Sequence, residues 1–395
     1  MCVESGERRL VKESILILAN KYPNEIEPTT NMFIQQLAWE FADIGFECNV
    51  ICPMPVNFNI QYVKMPYQTV ETTENGNNVQ VFRPKYISLG QSGNLLLKER
   101  VLFTTKTYEL ATKGVFNKLK KKPDYIYSYF LCPTSVVASR LGIKYGIPAF
   151  MEHGEALYYG NEKYGNEYLK NELKGLKGVI AVSNQNKHYV VDSGIIDERI
   201  TTVYPNCFRE ERFHYINKEI AREHFGWDKD LFIVGYAGSF DERKGILRLQ
   251  AAVDGLDEVY FACAGKGSLN PDSPKCIWAK PVNHDELPYF YNALDAFVLP
   301  TLAEGSCTAT AEAIGCGCPI ISSNRKFNEN LCFEDNSITV DPENIEEISS
   351  AIKKLQMNPE LRNKMSQGSL RRAENLKQST RMKNIVMFMK KMKGE

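Results

Sequence analysis

The chain has no excess charge of either sign. Its 395 residues carry 48 lysines and arginines against 48 aspartates and glutamates. That balance gives no global attraction to nucleic acid, and any pull toward an anionic surface must come from local patches. No apolar run approaches the ~18 residues that a membrane-spanning helix needs. The opening residues, "MCVESGERRLVKES", are polar and charged, so no signal peptide is expected. The 11 cysteines are odd in number, scattered and without a C-x-x-C pair. Cys316-Gly317-Cys318 has poor metal-binding spacing, and Cys263, Cys316 and Cys318 lie in apolar runs as small hydrophobes do. These features predict a reduced, cytoplasmic protein. Only 5 histidines occur. A Walker-type phosphate loop, a G-x-S-x-G elbow and an H-E-x-x-H helix are all missing, as are internal repeats.

What is present is ordinary globular composition, 43% hydrophobic and 24% charged. At roughly 150 residues per domain, two medium domains are the default. Apolar runs alternate with helical stretches. "SILILAN" precedes a helix from about Thr30 to Ile44, followed by "CNVICP", "DYIYSYF", "PAFMEHG" and "GVIAVS". The pattern resumes with "ITTVYPN", "FIVGYAGSF", "VYFACAG", "CIWAKPV", "AFVLPT", "PIISS" and "SITVDP". Continuous apolar runs suit parallel strands covered on both faces, and their alternation with helices suggests βαβ units. The fold class is α/β, with Rossmann-like domains over 1–195 and 196–374 and a helical tail over 375–395. In such sheets ligands bind beyond the carboxyl ends of strands, so the residues there are the candidates.

After "VGYAG" come Arg243 and Lys244. A planar fork and a point charge above a strand end suit a diphosphate; the alternative is a solvated turn. Gly265-x-Gly267 alone is a weak signal. His153-Gly154-Glu155 ends another strand, where the histidine either faces a cleft or is a hydrogen-bonded structural residue. Asp228-Lys229-Asp230 spells D-x-D but lies at a strand's entry end, which favours a solvated turn. After "AFVLPT", Glu304 and Glu312 bracket a helix start. Ser306 and Thr308 are N-cap types, and Gly315 or Gly317 ends the helix. Its free N–H groups offer an anion site. Helical rise puts the two acids roughly 10 to 13 Å apart. Glycosidase pairs sit about 5 to 9.5 Å apart, so the spacing argues against hydrolysis and against one shared metal. It fits a nucleotide diphosphate sugar, with sugar hydroxyls at Glu304 and ribose hydroxyls at Glu312. The alternative for Glu312 is an exposed helix acid.

Together these stretches resemble the retaining, nucleotide-sugar-dependent glycosyltransferases of family 4, which have the GT-B fold. The resemblance rests on "ILILANKYPNEIEPTTNMFIQQLAWEFADIGFECNVICP", "HGE", "AVSNQNKHYVVDSGIIDERITTVYPNCFREERF", "GYAGSFDERKGILRLQAA" and "NHDELPYFYNALDAFVLPTLAEGSCTATAEAIGCGCPIISS". The last carries the E-x7-E motif and a G-x-P. The resemblance implies two Rossmann-like domains around a cleft and a C-terminal helix packing back on the first. It implies that Arg243 and Lys244 hold the diphosphate, beside Gly238 and Ser239. Glu304 would meet the donor sugar and Glu312 the ribose, with backbone around Gly305, Ser306, Cys307 and Thr308 facing phosphate. His153 would sit by the reacting sugar, with Gly154 and Glu155 beside it. Pro28, Thr29, Thr30 and Asn31 would form the acceptor-side loop. Members need no metal or other cofactor, and the nucleotide sugar is a substrate. The sequence departs from the pattern at Ser239, where many members have arginine. It departs again at Cys207, usually glycine, and in the loop "EPTTN", which lacks the common paired glycines.

The expected activity is retaining transfer of a hexosyl unit, from a UDP-sugar ahead of a GDP-sugar. The acceptor is a hydroxyl of a lipid-linked glycan in capsule, exopolysaccharide or lipopolysaccharide assembly. Lys98, Arg100, Lys106, Lys113, Lys118, Lys120, Lys121 and Lys122 lie among apolar residues and read as a basic surface for anionic lipid, or as solvated helix faces. Peripheral contact at the inner face of the membrane follows from the first reading. Rivals are a transferase with a soluble acceptor, a GT-B sugar-nucleotide epimerase, a non-catalytic binding subunit and a dehydrogenase. The last is disfavoured because no G-x-G-x-x-G follows the first strand.

Overall fold

The computed structural model describes residues 12–90, 97–158 and 160–394. The first half runs β1 (Ser14–Leu18), α1 (Met32–Asp43), β2 (Glu47–Ile51), β3 (Met54–Pro55), a 3₁₀ turn (Ile60–Lys64), β4 (Gln68–Thr72), β5 (Asn78–Phe82), β6 (Lys85–Tyr86) and α2 (Leu97–Phe116). It continues through β7 (Tyr125–Tyr129), α3 (Val136–Tyr145), β8 (Ala149–His153), α4 (Gly160–Tyr164), α5 (Asn166–Leu173), β9 (Leu176–Ala181), α6 (Asn184–Asp192) and β10 (Thr201–Val203). The second half runs α7 (Lys218–Phe225), β11 (Phe232–Ala237), α8 (Ile246–Asp254), β12 (Val259–Ala264), β13 (Cys276–Lys280), α9 (Leu287–Asn292) and β14 (Ala296–Leu299). Then follow α10 (Thr308–Gly315), β15 (Ile320–Ser323), β16 (Ser337–Val340), α11 (Ile345–Met357), α12 (Pro359–Leu376) and α13 (Gln378–Lys393).

These strands build two open sheets. The first has the order β10-β9-β8-β7-β1-β2-β5-β4, and the second β13-β12-β11-β14-β15-β16. Both are parallel except for the antiparallel β4–β5 edge pair. In each sheet the strand order reverses once, between β1 and β7 and between β11 and β14. Ligand crevices open at such switch points. The long apolar runs supply strands buried on both faces, with one hydrophobic cluster on each side of the first sheet and another around the second. The α/β class and the two Rossmann-like units therefore stand as the sequence implied.

Several details differ. Strand β10 pairs with β9 in the first sheet, so the chain leaves that sheet after Val203, later than the 195/196 boundary. The β4–β5 hairpin was not foreseen, although "ENGNN" marks its turn and Gly76 takes φ 81 there. Its outer strand is largely exposed, so it lacks the apolar run that revealed the others. The C-terminal helix does return to the first domain. Met382, Ile385 and Met389 of α13 enter that domain's core.

Candidate functional site

The loop after β11 and the loop after β14 are tied together at the second switch point. The N–H of Leu302 donates to the carbonyl of Arg243 at 2.8 Å. Arg243 Nη1 donates to Ala303 O at 2.6 Å and to Glu304 Oε1 at 2.8 Å. Lys244 Nζ lies 2.7 Å from the same oxygen, and Thr301 Oγ1 donates to it at 2.9 Å. All three donors converge on Oε1. Oε2 of Glu304 has no partner among the described residues, although the side chain is only 11% exposed. Burial pulls the Lys244 ammonium down, but the Cys307 sulfur and the Glu304 carboxylate offset this and hold it above the ordinary lysine range. Asp241 braces the loop by accepting from the Lys244 N–H at 2.8 Å and from the Ser239 hydroxyl.

Helix α10 begins as the spacing predicted, but its N-cap is Cys307, which makes no side-chain cap. Ser306 and Thr308 are engaged elsewhere. Asn206 N–H donates to Ser306 Oγ at 3.1 Å, and Asn206 Nδ2 donates to Ser306 O at 2.8 Å and Thr308 Oγ1 at 3.1 Å. The crossover segment therefore holds the helix start. Glu312 is buried rather than an exposed helix acid. Tyr291 OH donates to its Oε2 at 2.8 Å, and Oε1 has no partner among the described residues. Burial pushes the Glu312 carboxyl up to about 7, against smaller downward pulls from Tyr291 and Arg212.

The first domain meets this site directly. A side chain at Gly305 would run into the carbonyl of Gly154, so only glycine permits this approach. His153 at the end of β8 is fully buried, stacked on Tyr189 and with Nδ1 against the Glu155 carboxylate. Nε2 has no hydrogen-bond partner among the described residues. Burial pushes the Glu155 carboxyl up, but His153 and the Leu131 N–H hold it below the usual range. Asn31 takes a left-handed φ of 44 at the start of α1, where a glycine would be at ease, and donates to Asn20 at 3.4 Å. Pro28 and Thr29 are exposed, and among the described residues no hydrogen bond or ion pair ties them to the Glu304 cluster. The Asp228–Asp230 segment is the exposed turn expected of it, with Asp230 N–H on Asp228 Oδ1 at 2.9 Å.

Sequence reasoning passed over Thr301, Tyr291 and Asn206. All three lie inside the quoted motif stretches. Their roles depend on which loops the sheet order brings together.

Residues 217–372 match the family model "Glycosyl transferases group 1". Over 355 residues the chain is 23% identical to TuaC of Bacillus subtilis (strain 168), a glycosyltransferase assigned to teichuronic acid biosynthesis; the alignment covers 86% of this chain and 88% of TuaC. Among solved structures, the fold matches sucrose-phosphate synthase of Thermosynechococcus elongatus with a TM-score of 0.76 at 16% identity, over 97% of this chain and 100% of that one. It also matches the Anabaena protein HepE, solved with UDP, with a TM-score of 0.68 at 16% identity, over 96% and 100%. The architecture is that of GT-B glycosyltransferases, and the matched sequence supports a group 1 glycosyltransferase.

Proposed function

We propose that the protein is a retaining glycosyltransferase that moves a hexosyl unit from a UDP-sugar to a hydroxyl of a lipid-linked glycan in surface polysaccharide assembly. One observation carries the reading. Glu304 and Glu312, on either side of a helix N-terminus, each have one carboxylate oxygen held by the protein and one left open. An open acceptor at each end, with two cations beside Glu304 and a helix N-terminus between the acids, suits a sugar, a diphosphate and a ribose in that order. UDP bound to the structurally similar HepE supports the donor base, and the teichuronic acid assignment of TuaC supports the polysaccharide context.

In this reading the diphosphate takes Arg243, Lys244 and the α10 N–H groups, while donor sugar hydroxyls take Glu304 Oε2. The bond from the anomeric carbon to the phosphate oxygen breaks as the bond to the acceptor oxygen forms on the same face. The departing phosphate oxygen takes the acceptor proton, so no protein base is required. Charge developing on the leaving group is stabilised by the cations, and neither metal nor other cofactor enters the scheme. In this reading the unpaired Nε2 of His153 meets a hydroxyl of the reacting sugar.

A panel of UDP-, GDP- and ADP-sugars with a lipid-linked glycan acceptor tests this. Transfer from a UDP-sugar with the anomeric configuration kept, read by NMR, is expected. Inversion, or release of an epimerised sugar without an acceptor, would refute it.

The pH dependence supplies a second test. Ribose hydroxyls donate to Glu312, so the ionised carboxylate is the binding form. Its value of about 7 means that the donor KM should rise by up to about tenfold per pH unit below neutrality. Tyr291→Phe removes a hydrogen bond that favours the carboxylate, so the rise should begin at higher pH. A donor KM flat from about pH 5.5 to about pH 8, an interval that spans the Glu312 value of about 7, would remove Glu312 from ribose binding.

A further inference from the structure

The basic stretch singled out in the sequence is partly neutralised. Lys113 pairs with buried Glu109, Lys121 with Asp124 at 2.9 Å, and Lys122 donates to Phe116 O at 2.8 Å. The first domain's exposed apolar side chains gather elsewhere. In a 3₁₀ turn residues i and i+3 eclipse, so Ile60 and Val63 stand on one side of the turn at 60–64. They are 77% and 52% exposed, while Tyr62 and Met65 point inward. Phe58, just before the turn, is 62% exposed.

Hydrogen bonds join this turn to two neighbours. Asn57 and Ser88 exchange side-chain-to-backbone bonds at 2.6 and 3.0 Å. Leu89 N–H donates to Thr104 Oγ1 at 3.0 Å, and Thr107 Oγ1 donates to Ile87 O at 2.6 Å. Exposed Ile87 and Leu89 therefore adjoin Phe103 and Leu110 on the outer face of α2. Monomeric proteins rarely expose so continuous an apolar surface without a use for it.

Charge selects the partner. The three segments carrying this patch, 56–67, 85–90 and 97–110, contain Lys64, Lys85, Lys98, Arg100 and Lys106. Their acids are Glu99, which is exposed, and Glu109, which is buried against Arg140 and Lys113. Pairing with a second copy would set like charges against each other across a two-fold axis. Phe58 and Phe103 are aromatic, but Ile60, Val63, Ile87, Leu89 and Leu110 are aliphatic, so most of the exposed surface offers nucleic-acid bases no stacking platform. An apolar tip rimmed by cations fits the boundary of an anionic bilayer.

We infer that the Phe58–Val63 turn and the outer face of α2 dock the protein on an anionic lipid surface, with Ile60 and Val63 entering the headgroup layer. A cavity of about 550 Å³ opens beside them, walled by Phe58, Asn59, Tyr62, Tyr86, Ser88 and Thr104. It reaches Asn20 at the switch point of the first sheet, and Asn20 also lines the cavity that holds Glu155. Docking would thus set a path from the lipid surface to the site. The inference rests on the reading of a lipid-linked acceptor.

Sedimentation of the full chain with phosphatidylglycerol-containing phosphatidylcholine vesicles, and with phosphatidylcholine vesicles alone, tests it. Binding is expected for the anionic vesicles. Ile60→Ser with Val63→Ser should weaken it by on the order of tenfold, and Lys64→Gln with Lys106→Gln should weaken it and flatten its salt dependence. Donor turnover on a soluble acceptor analogue should be unchanged in both. Wild-type protein that does not bind the anionic vesicles, a serine variant that binds them equally well, or a dimer that the serine variant dissolves would each overturn the docking surface. If turnover is normal while binding is absent, docking alone fails. If vesicles bind but no donor is ever consumed, the transferase reading fails and docking stands.

Discussion

Lys244→Ala is expected to lower turnover on saturating donor by about 10²–10³-fold, the range for removing one preorganised charge-stabilising donor. Lys244 Nζ lies 2.7 Å from Glu304 Oε1 inside a largely enclosed site. There a cation interacts with a developing negative charge far more strongly than in water. The fold should survive. Without the lysine, Glu304 Oε1 keeps Arg243 at 2.8 Å and Thr301 at 2.9 Å, so no carboxylate is stranded. Lys244→Arg should recover little, because a planar fork does not replace a point charge on a flexible stem. Glu304→Ala should lose comparable turnover for the opposite reason. It removes the acceptor for sugar hydroxyls yet frees both cations, so affinity for UDP alone should hold or rise. Titration calorimetry with UDP separates the two variants. A Lys244→Ala enzyme within about threefold of wild type, well below the expected loss, would take this residue out of the reaction.

That ion-paired cluster shows where sequence reading reaches its limit. Each component was legible: two cations after an apolar strand and an acid after another. Their convergence was not, because Arg243 and Glu304 are 61 residues apart in the chain. Only the sheet order puts β14 beside β11. Strands buried on both faces announced themselves as apolar runs. Exposed β4 did not, and the hairpin it forms with β5 was missed despite its Asn-Gly turn. The Lys118–Lys122 run read as a free basic face, whereas Lys122 reaches back to the Phe116 carbonyl at the end of α2, where orphan carbonyls attract cations. Conversely, "NFNIQY" alternates polar and apolar residues as a strand would, yet residues 60–64 form a 3₁₀ turn. The eclipsed geometry of a short 3₁₀ turn is what places Ile60 and Val63 together.

The second large effect falls on the join between the tail and the first domain. Arg381→Met should destabilise the protein by about 3–5 kcal/mol, the cost of leaving one member of a buried ion pair uncompensated. Arg381 Nη2 donates to Glu152 Oε1 at 2.6 Å, and Nε donates to Pro205 O at 2.8 Å. Glu152 is essentially inaccessible, and its other oxygen accepts from Tyr127 OH. Without the guanidinium, Glu152 would be a buried carboxylate that has lost its cationic partner. Urea midpoints of wild type and variant measure the loss. Adding Glu152→Gln should recover part of the loss, since a neutral amide needs no cation. Function should suffer too. Pro205 precedes Asn206, whose side chain holds Ser306 and Thr308 at the start of α10. Folded Arg381→Met protein should then bind donor more weakly at unchanged pH. No recovery on adding Glu152→Gln, with donor affinity intact, would mean that Arg381 fills space rather than balancing Glu152.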